Sequence, residues 1–240
     1  MEECILIQWV YEQGWSDLVY FSFHGLGFLA VVLFNLWYGP KLGFSKIKAL
    51  LTTAVVYGVT YVWIYIQCWA ETGFRDFGGN NIVRGFVYIP LIAWPVAKLL
   101  KITWERMCCL VAPCVCLVHG ISHLGCIFGG CCRGYEWSWG IYNPVYQSIT
   151  FPIQIIEALT ALAIVVWLLA RAKKRGYGID PYAYPWMLVL FGFTRFIWEF
   201  GRVNKKLLWG CSSLAFHALF MGVVGVIMLI YLSNKRRKNK

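Results

Sequence analysis

The sequence has little charge for its length. Only 14% of the 240 residues are charged, whereas 60% are hydrophobic and the mean hydropathy is +0.61. An ordinary soluble domain does not carry so much apolar surface, so the composition excludes that class. Low-complexity tracts, internal repeats and long polar linkers are also lacking. We therefore expect one integral membrane domain over residues 1–240.

The first ten residues lack the basic region and the small-residue cleavage site of a secretory signal peptide, so we expect no cleaved leader. Acidic residues are scarce as well, 11 against 22 Lys and Arg, which gives a net charge of +11. Most of the basic residues flank apolar segments, where membrane topology and anionic lipid headgroups account for them. We therefore expect no nucleic-acid partner.

About seven apolar segments are long enough to be spans, since a helix needs roughly 20 residues to cross the hydrocarbon. They are residues 18–38, 49–69, 85–100, 107–128, 151–170, 182–200 and 214–232. The pattern predicts an all-α polytopic membrane protein. Basic residues concentrate in the first, third and fifth connections and in the C-terminal tail, which places the N-terminus outside and the C-terminus in the cytoplasm.

Four histidines are present, and all lie in or next to predicted spans, where ionisable side chains usually serve function. His119 and His123 are four residues apart and share a helix face. His24 and His217 lie in the first and last spans, and a core histidine bonded to a neighbour is an equal alternative for His24. Glycines directly after His123 allow a tight turn and close ligand approach, which predicts the floor of a site.

The sixth segment carries Arg195, Glu199 and Arg202 on one helical stripe. This stripe is either a self-neutralising ion pair or, because two arginines face one glutamate, a phosphate site with net positive charge. Lys205 and Lys206 extend the basic cluster on the predicted outer side. Glu157 lies near the start of the fifth helix, where a carboxylate can also complement the helix dipole.

Ten cysteines raise the possibility of a metal or redox site. Cys116, His119, His123 and Cys126 form a stripe of metal-competent side chains, but one straight helix cannot surround a zinc ion with four ligands. Cysteine also packs well between membrane helices, and no disulfide pair can be chosen from the sequence. We expect no metal and no cofactor, and keep a metal or redox protein as an alternative.

Three ordered segments resemble motifs of the bacterial prolipoprotein diacylglyceryl transferases. VAPCVCLVHGISHLGCIFGGCCRG is similar to the signature region of that family. FPIQIIEA resembles its His-Pro-x-Gln-x-Tyr-Glu motif, and GFTRFIWEFGR resembles its Gly-x-x-Arg-x-x-x-Glu-x-x-Arg segment. The matching residues are Ala112, Pro113, Gly125, Cys126, Gly130, Gly134, Pro152, Gln154, Glu157, Gly192, Arg195, Glu199 and Arg202.

The chain departs from the family at several positions. His123 stands where the family has its phospholipid-binding arginine, and the family's histidine before Gly-Gly has no counterpart near Arg84. Phe151 and Ile156 replace the His and Tyr of the second motif. His24 stands where the family places the Tyr of a Tyr-Gly-Leu, and His217 where a glutamine is common.

The resemblance implies an enzyme of the bacterial plasma membrane that moves a diacylglyceryl group from phosphatidylglycerol to a cysteine of an exported protein or peptide. His24, His123 and Glu199 are the implied catalytic residues, with His24 or His123 as the base. The implied substrate-binding residues are Arg195, Arg202, Arg84, Arg133, Gly125, Cys126, Gly130, Gly134, Gln154, Glu157 and His217. Arg84 or Arg133 would replace the missing arginine. A non-catalytic relative that binds lipid or a partner protein is the alternative.

Overall fold

The computed structural model describes residues 5–71, 73, 83–203, 206–208 and 211–238. The helices are α1 (Ile5–Glu12), α2 (Ser16–Tyr38), α3 (Lys46–Glu71), α4 (Val83–Phe86), α5 (Ile89–Leu99), α6 (Trp104–Phe128), α7 (Ile153–Lys174), α8 (Ala183–Glu199) and α9 (Ser213–Lys238). The strands are β1 (Glu136–Asn143), β2 (Ser148–Thr150), β3 (Lys206–Leu208) and β4 (Cys211–Ser212). A 3-10 turn at Pro40–Leu42 follows α2.

Every predicted apolar segment overlaps a helix, and the fold is confirmed as a mostly helical polytopic membrane protein. In the described residues α2, α3, α6, α7 and α9 are long and apolar enough to cross a membrane. Helices α5 and α8 have 11 and 17 residues, so the count of seven spans stays a prediction, as do the sides of the two termini. The short α1 and the two small sheets were not predicted.

Helix α6 is the centre of the bundle. Its apolar window is 78% buried, against 17–44% for the other four long apolar helices. Glycines let neighbouring helices approach closely, because a Cβ at Gly120 would lie 2.9 Å from Leu162 of α7 and a Cβ at Gly27 of α2 would lie 2.7 Å from the Ser122 hydroxyl. The histidines of α6 therefore lie between packed helices and not against lipid.

The chain reverses after α6 and forms an antiparallel hairpin of β1 and β2, in which Asn143 pairs with Ser148. Backbone hydrogen bonds join the start of this excursion to the segment that follows α8: the Tyr135 amide donates to Gly201 O (3.2 Å) and the Val203 amide donates to Arg133 O (3.1 Å). The end of α6 and the end of α8 are thereby held side by side.

At the other end of the bundle, Asp180 joins α7 to α8. Its buried carboxylate accepts hydrogen bonds from Arg171 Nε (2.5 Å), Arg175 Nη1 (3.2 Å) and the Tyr182 amide (3.1 Å). Its backbone amide and carbonyl also contact the Cys109 thiol. One carboxylate thus organises the whole connection between the two helices that carry most of the site.

We expect Asp180→Ala to lower the free energy of unfolding by about 2 kcal/mol, because three donors lose their charged acceptor. The measurement is thermal unfolding of the purified protein in detergent. Asp17→Ala, at an exposed carboxylate in the first turn of α2, is the matched control and should change stability by less than about 1 kcal/mol. Equal melting temperatures for the two variants would contradict the structural role of Asp180.

Candidate active site

Four buried side chains, three from helices and one from the loop after α8, meet near the ends of α6 and α8. His123 comes from α6, Glu157 from α7 and Arg195 from α8, and Arg202 follows α8 in a loop. They are 8%, 3%, 3% and 2% exposed, respectively. Buried charges at this depth are costly unless they are paired and hydrogen-bonded, so their partners determine what the cluster can do.

Glu157 is the common acceptor of the cluster. Arg202 forms a bidentate pair with this carboxylate: Nε donates to Oε1 and Nη2 donates to Oε2, both at 2.8 Å. Arg195 Nη1 donates to Oε1 at 3.0 Å, and His123 Nε2 lies 2.8 Å from Oε2. Glu157 lies in the second turn of α7, and its carboxylate binds guanidinium groups. No acidic residue lies in the first turn of α7, where the dipole interaction is strongest, so the ion pairs are the main interactions of this carboxylate.

Glu199 is the second carboxylate of the cluster. Its Oε2 lies 2.5 Å from Arg195 Nη1, and its Oε1 accepts a hydrogen bond from the Ser212 hydroxyl at 2.5 Å. Ser212 Oγ in turn accepts from the Ala215 amide at 3.2 Å, which fixes the hydroxyl at the start of α9. Glu199 thus connects the cluster to the last helix.

The charges of the cluster balance, because two carboxylates face two guanidinium groups. The sequence left open whether Arg195, Glu199 and Arg202 neutralise one another or carry a net positive charge, and the structure adds Glu157 of α7 as a second carboxylate facing both arginines. The predicted basic extension at Lys205 and Lys206 lies outside the described side chains. A phosphate group must therefore compete with Glu157 for the two arginines.

Two of the predicted glycines bring backbones together. A Cβ at Gly134 would lie 2.4 Å from Phe151 O, and Gly134 forms a β-bridge with Arg202, so its lack of a side chain lets the loop after α6 reach the cluster. At Gly125 a Cβ would lie 2.9 Å from Tyr20 O, which shows that this residue serves the contact of α6 with α2.

The turn after α6 is held by side-chain amides. Gly130 has a φ of 63°, and its carbonyl accepts a hydrogen bond from Asn143 Nδ2 at 3.1 Å. Gln154 Nε2 donates to Cys131 O, also at 3.1 Å. Asn143 was missed in the sequence, although an Asn-Pro pair between apolar segments is a recognised turn signal. Gln154 was predicted to bind substrate, and in the structure it positions the cysteine-containing loop.

Several predicted site residues form no hydrogen bond or ion pair with the cluster among the described side chains. His24 forms a hydrogen bond between Nδ1 and the Tyr20 carbonyl of its own helix at 2.9 Å, and its ring contacts the Tyr20 ring. His217 Nδ1 likewise contacts Ser213 O at 2.8 Å. The Arg133 guanidinium lies over the Tyr146 ring at 3.5 Å. Arg84 belongs to α4, but its side chain is outside the described set.

His119 was omitted from the predicted site and lies directly beside it. Its ring stacks on that of His123 at 4.9 Å. It lines a cavity of about 10 Å³, with Arg195, Trp198 and Glu157 among the other lining residues. His119 Nε2, Arg195 Nε and Trp198 Nε1 are buried there without a hydrogen-bond partner among the described residues. A space of this size holds about one water molecule.

The cysteines of α6 divide into two groups. Cys108, Cys114 and Cys116 are buried in α6 as core residues. Cys126 instead places its Sγ 3.7 Å from His123 Nδ1. Hydrogen bonds with the thiols of Cys126 and Cys131, and then the charge of Arg202, hold the pKa of the Cys132 thiol below its usual range despite burial. The cluster therefore has a sulfur side, formed by Cys126, Cys131 and Cys132, and a guanidinium side, formed by Arg195 and Arg202.

Such a fold and site define a class: helical membrane proteins whose charged centre is buried within the bundle. The sequence model of the family "prolipoprotein diacylglyceryl transferase" matches residues 19–231. The chain is also 25% identical over 240 residues to phosphatidylglycerol–prolipoprotein diacylglyceryl transferase 2 of Clostridium perfringens (strain 13 / Type A), with 90% of each chain covered.

The chain belongs to the prolipoprotein diacylglyceryl transferase family, and the predicted resemblance is confirmed. It is therefore a transferase of the diacylglyceryl type, and the alternative of a non-catalytic binding protein is not favoured. The matched region includes every helix that contributes to the cluster.

Proposed function

We propose that this protein transfers the diacylglyceryl group of phosphatidylglycerol to the cysteine thiol of an exported prolipoprotein, within the bacterial inner membrane. The relative from Clostridium perfringens carries both substrates in its name. The observation that carries the proposal is the buried pair of Arg195 and Arg202, held on one carboxylate by three hydrogen bonds. Two guanidinium groups that converge on one anion are well suited to bind a phosphate group.

In this proposal Glu157 keeps the Arg195 and Arg202 side chains in position while no lipid is bound. A phosphate that enters exchanges with the Glu157 carboxylate on part of the Arg202 fork. Arg195 Nε is already buried with no hydrogen-bond partner in the described chain and offers a further donor. The arginines stabilise the charge that develops on the phosphate oxygen as it leaves, which is the main electrostatic demand of the reaction.

The acceptor thiol must lose its proton before its sulfur can attack. Of the two histidines predicted as bases, only His123 contacts the cluster among the described residues, and its Nδ1 faces the sulfur side. We assign thiol activation to His123. The thiol sulfur then forms a bond to the glycerol carbon of the diacylglyceryl group. The bond from that carbon to the phosphate oxygen breaks, and glycerol phosphate departs with the electron pair.

Mass spectrometry of a synthetic peptide tests this proposal. Purified protein in detergent with phosphatidylglycerol and a peptide containing a lipobox cysteine should yield a peptide heavier by one diacylglyceryl group. Phosphatidylethanolamine as donor, or a peptide with Ser in place of Cys, should yield no product. Folded protein that forms no product with phosphatidylglycerol, or equal product with both lipids, would contradict the proposal.

A further inference from the structure

A small cavity borders the cluster and lies between three helices. Helix α8 lines it with Phe191, Arg195 and Trp198, whose spacing places them on one face of the helix. Helix α6 contributes His119, and helix α7 contributes Glu157. The cavity volume is about 10 Å³, which is enough for one oxygen atom of the size of a water molecule. The cavity is therefore a site for one atom of a ligand and not for a whole headgroup.

Three nitrogen atoms in the wall of this cavity are buried without a hydrogen-bond partner in the described part of the chain: His119 Nε2, Arg195 Nε and Trp198 Nε1. His119 and Arg195 are only 6% and 3% exposed, so solvent outside the bundle does not satisfy them. Buried polar groups of folded proteins are nearly always hydrogen-bonded. Three such groups around one atom-sized space indicate that a ligand atom supplies the missing partner.

The three nitrogen atoms are suited to donate hydrogen bonds. Arg195 Nε and Trp198 Nε1 can only donate, and His119 Nε2 donates in one of the two neutral tautomers of the ring. The hydroxyls of Thr160 and Thr194 also line the cavity, but they already donate to backbone carbonyls of their own helices at 2.7 and 2.6 Å. The complementary ligand atom is an oxygen that accepts several hydrogen bonds, and an anionic oxygen receives stronger bonds than a neutral one.

Packing fixes the direction of the His119 ring before any ligand enters. The ring stacks on that of His123 with 4.9 Å between centroids, and it meets the Phe191 ring edge to face at 5.0 Å and 86°. Trp198 follows Arg195 by three residues on α8, so the two side chains are neighbours on the helix surface. Donors that are held in place before the reaction stabilise developing charge without any rearrangement.

The cavity adjoins the place at which the phosphate group is proposed to bind. Glu157 lines the cavity and also accepts the hydrogen bond from Arg195 Nη1 at 3.0 Å. A phosphate that takes the place of this carboxylate therefore lies at the cavity wall. Because phosphate oxygens are arranged tetrahedrally, one non-bridging oxygen can enter the cavity while the other contacts Arg202.

We infer that this cavity is an oxyanion pocket that binds one non-bridging phosphate oxygen of the donor lipid, with hydrogen bonds from His119 Nε2, Arg195 Nε and Trp198 Nε1. His119 and Trp198 are thus two further substrate-binding residues. The charge on the phosphate rises as its bond to the glycerol carbon breaks, so the three donors bind the transition state more tightly than the lipid. This inference rests on the proposed function, because it extends the phosphate site of that transfer.

Nuclear magnetic resonance of the indole N–H groups tests the pocket in the full-length protein in detergent. The Trp198 resonance is identified by its absence from the spectrum of Trp198→Phe. Inorganic phosphate and short-chain phosphatidylglycerol should both shift this resonance, because the indole N–H gains a charged acceptor. Glycerol at the same concentration should leave it in place.

Calorimetric titration with inorganic phosphate measures what each donor contributes. Trp198→Phe and His119→Phe keep an aromatic ring but lose one N–H donor, and we expect each to bind phosphate about 10-fold to 100-fold more weakly. His119→Gln keeps a side-chain N–H donor and should bind more tightly than His119→Phe. Trp186→Phe, at a half-buried residue near the start of α8, is the matched control and should match wild type. In the transfer assay, kcat/KM for phosphatidylglycerol should fall in parallel while the KM for the peptide stays unchanged.

Three results would overturn the inference: a Trp198 resonance that saturating phosphate does not move, the same shift with glycerol, which would indicate a site for water or a neutral hydroxyl, or a shift with inorganic phosphate but not with phosphatidylglycerol. The two proposals fail separately. Lipidated peptide formed equally well by wild type, Trp198→Phe and His119→Phe removes the oxyanion pocket and leaves the transferase intact. Phosphate bound through Trp198 with no lipidated peptide sinks the transferase, and the pocket is then an anion site without a role in transfer.

Discussion

Glu157→Gln is expected to lower kcat for transfer by about 100-fold while the KM for phosphatidylglycerol does not rise. Glutamine keeps the size of the side chain but removes the charge that faces Arg195, Arg202 and His123. The cluster then carries excess positive charge, which favours an anionic lipid in the ground state. His123 simultaneously loses the carboxylate that orients its ring, so the chemical step suffers although lipid binding does not.

The same substitution should cost about 3 kcal/mol of stability, because a buried carboxylate that pairs with two guanidinium groups is replaced by a neutral amide. Thermal unfolding and steady-state kinetics on one preparation separate the two effects. Glu105→Gln, at an exposed glutamate in the first turn of α6, is the matched control and should alter neither. A rise in KM with an unchanged kcat would show that Glu157 only supports substrate binding.

Arg202→Lys is the second change with a large expected effect, and we expect transfer activity to fall by about 100-fold although the positive charge is kept. Arg202 uses Nε and Nη2 to grip both oxygens of Glu157. A lysine ammonium is a single point charge and cannot form a bidentate fork with a carboxylate or a phosphate. Arg202→Ala should be worse still, because it leaves Glu157 with one guanidinium partner.

Arg237→Lys provides the control for Arg202, since Arg237 is exposed near the end of α9. Product formation is measured at saturating and at limiting phosphatidylglycerol, with unfolding temperature as a check on folding. Activity of Arg202→Lys within a factor of about two of wild type would show that charge alone suffices, and the bidentate model of phosphate recognition would fail.

The helices were predictable because their signal is local. A run of apolar residues long enough to cross a membrane, such as that of α6, can be recognised in the sequence without knowledge of its neighbours in the fold. The family motifs were readable for the same reason, since the spacing of Arg195, Glu199 and Arg202 lies within one helix and its end. The hairpin of β1 and β2 was missed although Trp137 and Trp139 alternate with Glu136 and Ser138, because this short alternation lies between the apolar segments from which the fold was predicted.

It was harder to predict which residues belong to the site than which chemical groups the site contains. His24 and His123 were equivalent in the sequence as intramembrane histidines. In the described chain, packing of α6 against α7 gives His123 a carboxylate partner, while the contacts of His24 stay on its own helix. The sequence predicted close backbone approach at the glycines, and in the structure a Cβ at Gly125 or Gly134 would collide with the backbone of Tyr20 or Phe151, respectively.

The glycine- and cysteine-rich stretch after His119 shows how the two kinds of information divide. By itself the sequence determined a helical membrane protein of the prolipoprotein diacylglyceryl transferase family, with charged and sulfur-bearing residues placed inside it. Only the tertiary structure decided that Glu157 neutralises the two arginines and that Cys132 turns back to Cys126 and His123. Ion pairing and the convergence of side chains depend on distances between residues of different elements, and local patterns do not encode those distances.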